Sequence, residues 1–188
     1  MSRTVRLLVI PGTIDPNSTT GRVLSLAAEL GRSLGADVTF WDHGTHPLPL
    51  VGAPNSWEDA NVVKLRSAVV DSDGLLIGSP EYHGTMSGVM KNTLDWVYDK
   101  HIGGRAAGLI STLGGRSNSN TLNHLRIVLR WLHVWVIPEQ VAIPHSKTCF
   151  NEQGDLDDPD QVTRLEGLMR SLIAASEWRR TLRLEASE

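Results

Sequence analysis

Five short apolar runs alternate along this chain with segments of helical period, and that alternation restricts the fold more than any other feature. Val5 to Ile10 stops at Pro11-Gly12 and reads as a buried strand bounded by a turn. Val23, Leu26, Ala27, Leu30 and Leu34 then recur at helical spacing, and Gly35 closes that helix. Ala36 to Trp41 reads as a second strand. A proline- and glycine-rich loop from Asp42 to Asn55 leads to Ser56, placed to cap a helix with Val62, Leu65 and Val69 on one face. Asp73 to Ser79 is the third strand, broken by Pro80. Ser87 is placed to cap the next helix, with Met90, Leu94 and Val97 turned inward. Arg105 to Thr112 is the fourth strand, ending in Gly114-Gly115. Asn118 or Ser119 starts an amphipathic helix carrying Leu122, Leu125, Leu129 and Leu132. Val134 to Ile143 is the fifth strand, bent or split at Pro138. Asp157 to Asp160 lead into a last helix with Val162, Leu165, Met169, Leu172 and Ile173, frayed after Arg183.

Strands separated by helices imply a parallel sheet covered on both faces and joined by right-handed crossovers. The expected fold class is α/β: a three-layer, doubly wound, parallel five-stranded sheet of flavodoxin-like order, its ligand at the carboxyl ends of strands one and three. The 188 residues suit a single domain, residues 1–188. A formal net charge of -3 gives neither a basic footprint for nucleic acid nor a polybasic membrane anchor. No segment is long and apolar enough to span a bilayer, and none reads as a signal peptide. Cys149 is the single cysteine, which fits a reducing cytoplasm. Neither it nor the histidines show metal-ligand spacing, so no metal is expected. Six tryptophans against two phenylalanines imply that Trp stands in for Phe in the core.

Three loops fall at the carboxyl ends of strands one, three and four, all built from glycine, hydroxyl and amide residues. The first, Pro11 to Thr20, joins a strand to a helix, whose N-terminal amides and partial positive charge suit a phosphate. Gly12, Thr13, Ser18, Thr19 and Thr20 are its candidate binding residues, the hydroxyls acting as added donors. The loop has no Gly-x-x-x-x-Gly-Lys and no Gly-x-Gly-x-x-Gly, which leaves a terminal phosphate monoester or a simple helix cap. The second loop runs Ser79 to Gly88. Pro80, Glu81, Tyr82, His83, Gly84 and Thr85 are placed to wall a planar ring, and Gly84 opens a backbone conformation closed to other residues. In the third loop, Leu113 to Asn118, Gly114 and Gly115 permit close approach to a ring, and Arg116 is a candidate phosphate contact or a solvated surface arginine.

The eighteen residues Ser79-Pro-Glu-Tyr-His-Gly-Thr-Met-Ser-Gly-Val-Met-Lys-Asn-Thr-Leu-Asp-Trp96 resemble the signature of the NADPH-dependent FMN reductase family, which reads Ser-Pro-Glu-Tyr-Asn-Gly-Ser and then Pro-Gly-x-Leu-Lys-Asn-x-Leu-Asp-Trp. The likeness in element order extends over roughly residues 5 to 145, Gly114-Gly115 included. It implies FMN as cofactor and NADPH or NADH as electron donor. It also implies a small-molecule acceptor such as a quinone or free flavin, and a homodimer or homotetramer with the flavin near the subunit interface. The first loop then holds the FMN phosphate, the second lines the isoalloxazine and the third closes over it. No side chain need act as a nucleophile. Two departures stand out. The family's first loop reads Gly-Ser-x-Arg, where this chain has Gly12-Thr13-Ile14-Asp15, so Arg22 or Arg116 is left to supply the missing charge. His83 replaces an asparagine, either as a tolerated polar swap or as a group that modulates the flavin. Two other readings stay open: an FMN electron carrier without nicotinamide turnover, and a flavin-free interaction domain on the same scaffold.

Overall fold

A computed structural model describes residues 3–116 and 119–185. In chain order its strands are β1 (Arg6–Pro11), β2 (Asp37–Phe40), β3 (Gly74–Tyr82), β4 (Thr85–Met86), β5 (Ala106–Thr112) and β6 (Trp135–Ile143). Its helices are α1 (Thr19–Ser33), α2 (Ala60–Asp71), α3 (Gly88–Asp95), α4 (Asp99–Ile102), α5 (Ser119–Trp131) and α6 (Pro159–Glu185). The five long strands are parallel in the order β2-β1-β3-β5-β6, the expected flavodoxin-like α/β arrangement, and the short β4 pairs antiparallel with β3.

Alternation along each strand sorts its side chains between two cores. Leu7, Val9, Leu76 and Ile110 pack with Val23 and Ala27 of α1 and with Leu165, Met169 and Leu172 of α6. Leu8, Ile10, Leu75 and Ile77 pack on the other face with Leu65 of α2, Met90 and Leu94 of α3, and Leu122, Leu125 and Leu129 of α5.

Proline does not end the third strand as expected. β3 continues through Pro80 to Tyr82, with Pro80 beside Thr112 of β5. Gly78 accepts from the Gly12 amide at 2.6 Å, so alternate residues of β3, Pro80 among them, direct their backbone groups toward β1. Because β1 stops at Pro11, the missing N–H of Pro80 costs no ladder bond. Pro138 does distort its strand: the register between β5 and β6 shifts between Ala107 and Leu109. Arg126 of α5 covers the carbonyls this exposes, donating from Nη2 to Ile137 O at 2.9 Å and to Pro138 O at 3.1 Å.

Ser56 opens a 3₁₀ turn, Ser56–Glu58, and Asp59 caps α2 instead, its Oδ1 accepting from the amides of Asn61 and Val62. Ser87 caps α3, as expected. Asn118 lies outside the described residues. Of the tryptophans only Trp41 and Trp96 are buried; Trp57, Trp131, Trp135 and Trp178 are exposed, so burial does not explain the tryptophan content.

The last helix runs two residues past Arg183, to Glu185, the remaining residues of the tail lying outside the described ones, and its arginines reach back to the sheet. Arg179 Nε donates to Gly104 O at 2.9 Å, and Arg180 meets the buried Asp73 carboxylate at 3.2 Å. Asp73 also takes Arg3 at 2.8 Å and the Arg6 amide at 2.9 Å. Removing one partner of a buried pair leaves the other charge uncompensated, so Asp73→Ala should destabilise the chain by about 3–5 kcal/mol. Urea unfolding monitored by far-UV circular dichroism checks this, and a loss below about 1 kcal/mol, the range of an exposed pair, would show that Asp73 does not anchor α6.

Candidate active site

The carboxyl ends of β1, β3 and β5 carry the three loops, and hydrogen bonds lace those loops together. Gly12 lies so close to β3 that a Cβ there would come within 2.9 Å of Ser79 Cβ and Oγ. The Gly12 carbonyl accepts from the buried Ser87 hydroxyl at 2.6 Å, and the Ser87 amide donates to Ser79 Oγ at 3.0 Å. Thr20 and Thr112 share a buried hydroxyl bond of 2.7 Å, tying α1 to β5. Thr19 Oγ1 donates to Ser146 O at 2.9 Å, while the Ser146 amide donates to Leu113 O and the His145 amide to Gly115 O.

In the first loop Ser18 is the N-cap of α1, accepting from the Gly21 amide at 3.2 Å, and its hydroxyl donates to Thr13 Oγ1 at 3.1 Å. Asp15 folds the turn, taking the Asn17 amide on its carboxylate and the Ser18 amide on its carbonyl. All four expected hydroxyl donors, on Thr13, Ser18, Thr19 and Thr20, therefore have protein partners. The groups left over are backbone ones: the Thr19 and Thr20 amides find no acceptor among the described residues. A helix N-terminus with open amides fits a phosphate, and here the peptide rather than the hydroxyls supplies the donors. Arg22 does not reach this rim: its guanidinium lies 3.7 Å over the Phe150 ring.

The second loop is a hairpin. Tyr82 pairs with Thr85, and His83-Gly84 between them have φ of +53° and +78°, positive at both positions as a type I′ turn requires. Tyr82 and His83 are exposed at the tip. Buried Glu81 points the other way: its Oε2 accepts from the Thr121 amide at 2.9 Å, capping the first turn of α5. Thr85 Oγ1 meets His124 Nδ1 of the same helix at 2.8 Å. In the third loop Gly114, Gly115 and Arg116 are exposed, whereas Ser117 and Asn118 lie outside the described residues. The rim thus offers an anion seat at α1 and a peptide wall at the hairpin, which fit a flat ring with a phosphate tail. Among the described residues no cluster has the make-up of a metal site.

These features coincide with a family match: the model for NADPH-dependent FMN reductases covers residues 5–148. The chain belongs to that family. Its members are FMN-dependent NAD(P)H oxidoreductases. The NADPH-dependent FMN reductase ArsH of Acidithiobacillus ferrooxidans is 31% identical over 174 residues, covering 89% of this chain and 72% of its own length. The FMN-dependent NADPH-azoreductase of Staphylococcus aureus is 29% identical over 152 residues, covering 78% and 81%. The flavoenzyme NAD(P)H:acceptor oxidoreductase FerB of Paracoccus denitrificans superposes with a TM-score of 0.77 at 21% identity, over 94% of this chain and 99% of that one.

The FMN reductase signature now has physical content. Lys91 and Asp95 form an exposed i,i+4 pair. Asn92 Nδ2 and Trp96 Nε1 both donate to Pro49 O, at 3.0 and 2.8 Å, and pin the long loop after β2. His43 lies in that loop and carried no mark in the sequence, because its partner is a backbone carbonyl. Its Nε2 lies 2.8 Å from Pro11 O, where the Pro11 carbonyl has run past the end of β2. A cavity of about 300 Å³ opens beside it, lined by Pro11, Thr13, Ile14, Trp41 and His43, on the outer side of the first loop. The Cys149 thiol is half-buried, and burial raises its pKa, which disfavours a thiolate.

Two expectations test this arrangement. Burial pushes the His43 pKa below its ordinary 6.5, while the Pro11 carbonyl partly opposes the shift. The unfolded chain then binds a proton more readily, so the His43 contribution is complete above pH 6.5 and is lost as pH falls below it. Stability measured from pH 8 to 5 should decline less steeply in His43→Gln than in the parent, and parallel curves would remove the effect. At the hairpin, His83→Asn should hold or raise stability and His83→Val should lower it by about 1–2 kcal/mol, because a β-branched residue resists positive φ. Equal thermal midpoints for the two variants would contradict the turn type.

Proposed function

We propose that this FMN reductase family member binds FMN at the laced rim and carries reducing equivalents from NADPH or NADH to a small acceptor of the quinone, free-flavin or azo class. The observation that carries the reading is the convergence of the open α1 amides and the His83-Gly84 hairpin on one edge of the sheet. When bound, FMN supplies the hydride and electron chemistry that no side chain here provides. Gly12 brings the first loop against β3. Thr13 and Ser18 set the turn, and Thr19 and Thr20 offer amides to the phosphate. Tyr82, His83, Gly84 and Thr85 form the wall for the ring, held from below by Pro80 and by the Glu81 cap on α5. Gly114, Gly115 and Arg116 close the third side, Arg116 meeting the nucleotide's negative charge. His83 lies exposed at the tip of the hairpin, in the positive-φ conformation of its turn.

The same proposal includes a homodimer or homotetramer. The outer face of α5 carries Ile127 and Trp131, 66% and 78% exposed, one and two turns beyond His124, whose ring holds the hairpin at Thr85. A second copy on this face would cover apolar surface next to the rim. It places the protein in the cytoplasm, where Cys149 needs no partner. No helix among the described residues is long and apolar enough to cross a membrane.

The backbone-amide seat has a direct test. Thr19 is the first residue of α1, a position that tolerates proline, and Ser18 has a ψ of 159°, the extended backbone a residue before proline adopts. Thr19→Pro deletes one amide donor, and Thr19→Val controls for the lost hydroxyl. Fluorescence titration should show FMN bound about 10- to 100-fold more weakly by the proline variant than by the valine variant, the loss of one hydrogen bond to a charged group, with riboflavin affinity equal in both. Equal losses for FMN and riboflavin would remove the phosphate seat. NADPH and NADH oxidation with quinone, flavin and azo acceptors then tests the turnover, and a chain inert with all three is not the reductase proposed.

A further inference from the structure

The end of the sheet opposite the rim gathers a second concentration of charge. Asp73 and Arg105 directly precede β3 and β5, so they lie at the amino ends of the strands. The length of β3 separates them from the rim by about 25–30 Å at roughly 3.3 Å per residue. A cleft of about 500 Å³ opens there, lined by Arg3, Arg6, Arg105, Arg180 and Arg183 against only Asp71 and Asp73. Counting Glu177, which approaches Arg180 at 3.7 Å, beside the two aspartates, five positive charges face three negative ones, an excess of two, in a chain whose formal net charge is -3.

The contacts inside the cleft leave that excess standing. Asp73 is taken by Arg3, Arg180 and the Arg6 amide. Arg105 directs its three nitrogens at neutral carbonyls, Val70 O at 2.6 Å, His101 O at 2.7 Å and Ser72 O at 3.0 Å. Arg183 meets the neutral Gly104 O at 3.3 Å. Burial, followed by repulsion from Arg183, lowers Arg105 to about 10. Burial lowers Arg183 as well; Asp73 opposes the shift, and the nearby Arg179, Arg180 and Arg3 add to it. Guanidinium groups pressed together this way are the recognition element for phosphate oxygens, which they meet with paired N–H donors. The cleft is also within the volume range of small-ligand sites.

We propose that this cleft is a second anion site, which binds a phosphate-type polyanion of about pyrophosphate size and is separate from the nucleotide rim. The anion joins three parts of the chain, the N-terminal segment through Arg3, the start of β5 through Arg105 and the end of α6 through Arg183. Its binding therefore stabilises the fold by mass action.

Inorganic pyrophosphate is the probe, added to FMN-saturated protein at constant ionic strength so that the rim phosphate seat stays filled. Calorimetry should show one site, and the thermal midpoint should rise with concentration. Arg183→Gln and Arg3→Gln should each weaken pyrophosphate by about tenfold or more, the loss of a charge-assisted bond. Arg170→Gln, at an exposed α6 position paired with Glu166, should leave it unchanged. Arg3 is half exposed, so its variant tests the site even where Arg183→Gln fails to fold. Release of FMN by pyrophosphate, equal binding in both cleft variants and the parent, an equal midpoint shift from chloride at matched ionic strength, or no heat at millimolar pyrophosphate would each overturn the proposal.

Discussion

The close approach of Gly12 to Ser79 is the contact on which the rim depends. It brings the ends of β1 and β3 together so tightly that no side chain fits between them. The backbone there is held on both sides, the Gly12 amide on Gly78 and its carbonyl on the Ser87 hydroxyl. Ser87 is at once the N-cap of α3, so the same side chain sets where that helix begins. From α3, Asn92 and Trp96 then hold Pro49 and the loop containing His43, which returns to the Pro11 carbonyl one residue before Gly12. The circuit closes on itself. Displacing any member moves the first loop relative to the hairpin, and a ring with a phosphate tail must touch both.

Much of this was legible in the residue pattern, for identifiable reasons. Strands buried on both faces are near-continuous apolar runs, so β1, β3 and β5 stood out against helices of clear period. The cap at Ser87 followed from residue type and place, whereas Ser18, read as a phosphate donor, turned out to cap α1. What escaped the pattern depended on partners distant in the chain. Pro80 reads as a strand breaker until the end of β1 is known. Thr20 and Thr19 read as free donors until Thr112 and Ser146 are placed beside them. Glu81 reads as part of the ring wall, yet its carboxylate is spent on the first turn of α5. His43 could not be read at all, since the carbonyl it meets has no side-chain signature.

The two departures from the family pattern have local explanations of different weight. His83 occupies the first central position of a two-residue hairpin where φ is positive, and asparagine followed by glycine is the favoured pair for that turn. Histidine is among the few other residues that enter the left-handed region readily, so the exchange preserves the backbone first and alters the chemistry second. Asp15 likewise serves its own turn, taking the Asn17 amide. Unlike His83, however, it adds a negative charge where the family carries a positive one, and Arg22, stacked on Phe150, does not offset it.

The rim is consequently poor in fixed positive charge. Its anion seat rests on peptide amides, whose attraction falls away within about one helical turn and depends on their aim. Amides can be aimed only if the backbone is immobile, which accounts for the density of buried hydroxyl and serine bonds beneath a shallow surface. The arginines are gathered instead at the opposite end of the same strands, where they tie α6 and the N-terminal segment to the sheet. Placing that charge remote from the rim has an electrostatic consequence. At about 25–30 Å the cluster lies beyond about two Debye lengths at physiological salt, so its exposed charges are largely screened at the rim. The sheet carries order from the arginine end to the rim without carrying the field.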